Sequence, residues 1–167
     1  MTETLWAPWR MEYILSEKPE RCVFCDALEA GPDHHREHMI LTTRPDAWVI
    51  MNRYPYTHAH IMVLPRRHVS NLEDLSPEEQ QALFQLTVDA QIALKQALNP
   101  QGLNLGMNLG KVAGAGIEDH IHFHVCPRWN GDTNFMPLLA DARVMPEHLL
   151  DTFDGLRAVF AELSVER

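Results

Sequence analysis

From residue 120 to residue 125 polar and apolar positions alternate, and every polar one is a histidine: His120, Ile121, His122, Phe123, His124, Val125. A period of two is that of a strand, so three imidazoles share one face about 7 Å apart while Ile121, Phe123 and Val125 face the other way. The apolar side anchors the segment in a core and holds the imidazoles on a defined surface, as a reactive site requires. A neutral imidazole is a competent nucleophile near pH 7, and its neighbours can donate to an anion or protonate a leaving group. A metal-binding or merely solvated strand would show the same alternation, so the flanking sequence has to decide.

Upstream, Trp48 to Met51 reads as a buried strand and ends at the turn Asn52-Arg53-Tyr54-Pro55-Tyr56. A second strand runs from His60 to Leu64 and stops at Pro65, which makes the pair an antiparallel hairpin. Ser76, Pro77 and Glu79 announce a helix through a cap, a first-turn proline and a capping box. Leu83, Leu86, Ala90, Leu94 and Ala97 give that helix one apolar face, and it stops near Asn99-Pro100. Leu103, Leu105, Met107 and Leu109 alternate with Asn104, Gly106 and Asn108, the pattern of a half-buried strand. Leu149, Phe153, Leu156 and Phe160 predict a C-terminal helix over residues 146–163. The polar segment 31–37 reads as a loop. The expected class is α+β, a mainly antiparallel sheet with one long helix and a C-terminal helix. All 167 residues are expected to form one domain, with its core at about 22–137.

The net charge of −9 disfavours a non-specific nucleic-acid binder, which needs a basic field. No apolar run approaches the roughly 20 residues of a membrane span, and residues 1–10 lack the apolar core of a signal peptide. The three cysteines argue against a disulfide framework and fit a reducing compartment, so a cytoplasmic location is the expectation.

Three further segments bear on chemistry. Gly110-Lys111-Val112-Ala113-Gly114-Ala115-Gly116 directly precedes the histidines and can expose backbone N–H groups to a phosphate, although it matches no nucleotide-loop fingerprint. Lys111 and Arg128 are near enough in sequence to add positive charge. Cys22-Val23-Phe24-Cys25 is half a zinc site or a redox pair; tetrahedral zinc needs two more ligands, and histidine is plentiful. Cys126 reads as core packing. Trp129, in a polar and aromatic stretch, is a candidate for stacking on a base or on a partner subunit, or else a buried anchor.

The segment His120-Ile121-His122-Phe123-His124-Val125-Cys126, with the preceding strand, glycine turn and hairpin, resembles the histidine triad (HIT) superfamily over residues 22–137. Two other stretches look like its branch of bacterial diadenosine tetraphosphate phosphorylases. One is Trp6-Ala7-Pro8-Trp9-Arg10-Met11-Glu12-Tyr13-Ile14. The other is Gly114-Ala115-Gly116-Ile117 followed by Pro127-Arg128-Trp129 and Gly131-Asp132-Thr133-Asn134-Phe135-Met136-Pro137. The resemblance implies an enzyme, a nucleotidyltransferase or hydrolase of dinucleoside polyphosphates, in which His122 forms a nucleotidyl-histidine intermediate. His124 would bind the α-phosphate and help the leaving group, His60 would support the site, Asn52 would hold the ribose, and Asn108 would contact phosphate. Gly114, Gly116 and Trp129 complete the expected substrate contacts. A structural zinc on Cys22, Cys25, His68 and His120 is implied, with no organic cofactor, and so is a homodimer. Ala59 stands where a glycine is usual before His60. Gly116 stands where many members carry a phosphate-binding glutamine, which favours the phosphorylase branch over triphosphate hydrolases and phosphoramidases. A hydrolase or phosphoramidase on the same scaffold is the alternative, and a nucleotide-binding regulatory protein with little turnover is the alternative of another class.

Overall fold

The computed structural model describes residues 21–132 and 145–165. The stretches 6–14 and 133–137, which contributed to the resemblance, lie outside the described residues. Five strands form one sheet: β1 (Ile40–Thr43), β2 (Ala47–Met51), β3 (Ile61–Pro65), β4 (Gly102–Met107) and β5 (Phe123–Arg128). Their order is β1-β2-β3-β5-β4 and every pairing is antiparallel. Among the described residues three α-helices accompany them, α1 (Val23–Glu29), α2 (Pro77–Leu98) and α3 (Leu149–Val165). The α+β class with a long helix and a C-terminal helix is therefore the observed one. No helix among the described residues is long and apolar enough to cross a membrane.

The hairpin forms as its sequence dictates, Trp48 opposite Leu64 and Met51 opposite Ile61, with both strands buried along their length. Pro65 ends β3 rather than following it; its carbonyl accepts from Trp48 Nε1 at 3.2 Å. Helix α2 starts with the expected capping box, Ser76 Oγ accepting from Glu79 N while Glu79 accepts from Ser76 N. It ends at Asn99 in the left-handed region, and Leu83, Leu86, Ala90, Ala93 and Leu94 are buried. α2 packs across β2, β3 and β5, and α3 packs on α2 and β1 through Phe153, Leu156 and Phe160.

Four segments depart from expectation. β1 and α1 carry no periodic signal strong enough to announce them, since each spans at most seven residues and is fixed by burial against the sheet. The segment 31–37 contains a short 3-10 turn, Pro32–His34. β4 is not half-buried: it stops at Met107, Leu105 and Leu109 are 44 % and 45 % exposed, and only Leu103 and Met107 pack partly against the core. The physical reason is position, because β4 is the sheet edge beyond the strands that α2 covers.

Candidate active site

The histidine triad straddles the start of β5. His124 lies inside the ladder opposite Met62, whereas His120 and His122 precede the first paired residue, Phe123. Ile121 N donates to Val69 O at 2.9 Å, which ties the start of the triad to the segment after β3. His120 is fully buried and His122 is 5 % exposed. Burial of the imidazolium form pulls His122 below its ordinary value; it pulls His124 down to about 4, with neighbouring His122 as a second cause. All three rings are thus neutral at pH 7.

Hydrogen bonds decide where each neutral ring keeps its proton. His122 Nδ1 lies 2.9 Å from His120 O, and a carbonyl can only accept, so Nδ1 carries the hydrogen and Nε2 the lone pair. His120 Nε2 donates in the same way to Pro65 O at 3.0 Å, leaving Nδ1 basic. His60, fully buried, accepts at Nδ1 from Tyr56 N at 3.2 Å, so its proton sits on Nε2. That Nε2 lies 2.9 Å from His124 Nδ1 and donates to it, which places the His124 proton on Nε2. The cluster therefore presents one unprotonated ring nitrogen, on His122, beside one N–H donor, on His124, with ring centroids 4.8 Å apart.

The basic Nδ1 of His120 points into a second cluster. It lies 3.5 Å from Cys22 Sγ and 3.6 Å from Cys25 Sγ, and His68 Nδ1 lies 3.4 Å from Cys25 Sγ. The four ligand atoms of Cys22, Cys25, His68 and His120 lie within 4.8 Å of one another. Tetrahedral zinc with two sulfur and two nitrogen ligands separates neighbouring donors by roughly 3.6 Å, so the residues fit such an ion. Burial, then the adjacent Cys22, pushes the Cys25 thiol up to about 11; a cation between the two sulfurs would remove that penalty. Phe24, between the cysteines in sequence, packs edge-on against His120 and His122 at 5.6 Å and 5.3 Å. The sequence offered no signal for this contact, because an apolar residue inside a CxxC is unremarkable. Tyr56 is a second unforeseen neighbour, its ring 4.7 Å from that of His60 and 5.6 Å from that of His124.

The remaining expected residues are more scattered. Asn108 Nδ2 donates to Gly114 O at 3.3 Å and so staples the glycine turn, whose short 3-10 turn Lys111–Ala113 ends at Gly114 in the left-handed region. Gly116 lies in the bend that leads to His120. Trp129 is half-buried against His58, ring centroids 5.8 Å apart. Arg128 is engaged by both carboxylate oxygens of Asp132, at 2.6 and 2.8 Å, and by Asn104, so its charge is already neutralised within the protein. Ala59 adopts φ 55°, a left-handed conformation that costs an L-residue with a Cβ about 1–2 kcal/mol. The glycine usual at that position would avoid this strain.

Residues 34–131 match the model of the HIT domain. The chain belongs to the HIT domain family. It is 36 % identical over 156 residues to an "AP-4-A phosphorylase" of Mycobacterium tuberculosis, covering 90 % of this chain and 80 % of that protein. It is 29 % identical over 108 residues to the bifunctional bis(5'-adenosyl)-triphosphatase/adenylylsulfatase FHIT of Arabidopsis thaliana, covering 65 % of this chain and 59 % of that protein. Among solved structures, a Zn-bound histidine triad family protein from Mycobacterium smegmatis superposes with a TM-score of 0.68 at 28 % identity, covering 87 % of this chain and 97 % of that one. With these relatives the chain is an enzyme of the histidine triad type.

The depressed acidity of His124 has a consequence for stability. Its folded-state value, about 4, lies below the ordinary 6.5, so protonation favours the unfolded chain. Its contribution is fully present above pH 6.5 and declines as the pH falls from there toward 4. The expected result is a denaturant midpoint that drops between pH 7 and pH 5, and drops less steeply in His124→Gln. A midpoint that rises over that interval would contradict the buried, neutral ring.

Proposed function

We propose that this enzyme cleaves dinucleoside polyphosphates of the diadenosine tetraphosphate kind by transferring a nucleotidyl group to His122 and then to inorganic phosphate. The observation that carries the reading is the bare Nε2 of His122, fixed by donation of Nδ1–H to the His120 carbonyl, beside the Nε2–H of His124. His122 Nε2 attacks the α-phosphorus and forms a P–N bond as the bond to the bridging oxygen breaks. The departing nucleotide carries away the electron pair of that oxygen. His124 Nε2–H and amides of the glycine turn stabilise charge on the phosphoryl oxygens. The acceptor then attacks the same phosphorus and releases His122 unchanged, so one substitution becomes two. Brief mixing with diadenosine tetraphosphate followed by mass spectrometry tests this directly. An adenylate on His122 is expected, and labelling of any other residue overturns it.

The phosphate acceptor is supported by the phosphorylase relative and by Gly116, which leaves the turn without a bulky side chain. Arg128, held by Asp132, contributes no free charge to this role; Lys111 is the exposed cation of the turn. Diadenosine tetraphosphate and phosphate should give ATP and ADP, with the new β-phosphorus of ADP derived from labelled phosphate. AMP and ATP as the only products at millimolar phosphate would make the enzyme a hydrolase, like the named activity of its plant relative.

Cys22, Cys25, His68 and His120 are proposed to hold one zinc ion. When bound it supplies a cross-link between α1, the segment after β3 and the triad. Four protein ligands leave no open position for water activation. A homodimer formed through the exposed apolar edge of β4 completes the reading, because such an edge is a template for a second strand. Light scattering should report a dimer, and Leu105→Lys should shift it to monomer; a wild-type monomer at micromolar concentration refutes this part.

A further inference from the structure

The resemblance gives Asn52 to the ribose of the substrate, and its side chain also has two partners within the protein, which leave one amide hydrogen and one lone pair for such a contact. Asn52 Oδ1 accepts from Tyr54 N at 2.9 Å, and since a backbone N–H can only donate, the orientation of the amide is fixed. Its Nδ2 therefore faces His60 Nδ1, 3.2 Å away, as a donor. The Tyr56 N–H converges on the same ring nitrogen at 3.2 Å. Two hydrogens aimed at His60 Nδ1 leave no place for a third, so His60 must carry its own proton on Nε2. From there the chain of bonds has one polarity: His60 Nε2–H to His124 Nδ1 at 2.9 Å, then the hydrogen of His124 on Nε2. His60 is wholly buried, which shields the chain from water that could reverse it.

We propose that Asn52 is a positioning residue that acts on His124 through His60, holding the His124 proton on the nitrogen that meets the substrate phosphate. Asn52 joins the end of β2 to the hairpin turn, and His60 immediately precedes β3. The relay therefore spans the mouth of the hairpin and ends on β5, so strand pairing between β3 and β5 keeps its last member in register. The Tyr56 ring, tilted by 31° over His60 and by 41° over His124, covers the same pair of rings and restricts their rotation. Asparagine suits the position because it alone supplies an acceptor for Tyr54 N and a donor for His60 at the length of a short side chain. Leucine has a similar shape and neither function.

The inference rests on the reading that His124 serves the phosphate, and its test separates the two. Nitrogen-15 spectra of the resting wild-type enzyme, without substrate, should show His60 and His124 each protonated on Nε2 and bare on Nδ1. A His124 protonated on Nδ1 overturns the relay whatever the reaction proves to be. In Asn52→Leu, His60 should populate its other tautomer and kcat should fall about tenfold with KM little changed. The fall in kcat should persist when the dinucleotide substrate with ribose is replaced by its 2′-deoxyribose analogue. A loss confined to KM, or one that vanishes with the deoxy substrate, leaves Asn52 with the ribose alone and refutes the proposal. His60→Gln, whose amide can still donate to His124, should keep most of the kcat that His60→Leu loses; equal loss in both refutes the donor role. If the tautomers are as stated but His122 forms no adduct, the relay stands and the reaction assignment fails.

Discussion

Replacing His122 with alanine should lower turnover of diadenosine tetraphosphate by about 10³-fold or more while leaving the fold and nucleotide affinity nearly intact. The magnitude follows from loss of the proposed nucleophile, which no neighbouring group can replace. His124 cannot substitute, because its Nε2 bears the hydrogen and its Nδ1 is engaged by His60. His120 cannot either: its Nε2 donates to the Pro65 carbonyl, and its Nδ1 faces Cys22 and Cys25. The structural cost is small by comparison. The variant loses one hydrogen bond to a carbonyl and the edge contacts with Phe24 and His124, on the order of 1–3 kcal/mol. Steady-state kinetics set beside calorimetric binding of the intact substrate checks both halves. Retention of more than a few per cent of activity would falsify the covalent route, and a collapse of binding in parallel with turnover would point to a substrate-holding role instead.

Removing the proposed zinc ion should have the second large effect, this time on stability and turnover together. Cys22 and His120 are separated by 98 positions in the chain, so an ion between them closes a long loop and fixes α1 to the triad. Loss of a structural metal belongs among the changes that exceed about 4 kcal/mol. At roughly 2–4 °C per kcal/mol for a chain of this size, the melting temperature should fall by about 10 °C or more. The effect reaches the chemistry through His120, whose carbonyl accepts the His122 Nδ1–H and whose ring nitrogen faces Cys22 and Cys25. Phe24 provides a second path, since it packs on His122 from between the two cysteines. Elemental analysis should find one zinc per chain, and Cys22→Ser should lose zinc, melting temperature and kcat in step. Chelation that stops turnover with the melting temperature unchanged would indicate a water-activating ion, and an absence of zinc even after supplementation would reduce the cluster to packing.

Much of this protein is legible in the sequence because the deciding forces are local. The hairpin follows from two short apolar runs around a proline turn, and α2 from Ser76, Pro77, Glu79 and one apolar stripe. The alternation at residues 120–125 foretells three imidazoles on one segment whatever the rest of the chain does. It could not foretell that the β5 ladder begins only at Phe123, since strand length depends on the partner strand. Nor could alternation in 103–109 reveal an exposed edge, because burial there depends on how far α2 reaches across the sheet.

The chemistry of the histidines was decided by tertiary structure alone. The sequence by itself supplied the imidazoles, the paired cysteines Cys22 and Cys25, the glycine turn and the resemblance to the histidine triad family. Which nitrogen of each ring holds its proton depends on the Pro65 carbonyl, the His120 carbonyl, the Tyr56 N–H and the Asn52 amide. Only the folded chain brings those groups within 3.2 Å of the rings. A histidine has two equivalent-looking nitrogens in a sequence and two opposite ones in a hydrogen-bonded site. The distinction between an unprotonated ring nitrogen and an N–H donor is therefore a property of long-range contacts, such as that between His60 and His124, 64 positions apart, and not of the residue type.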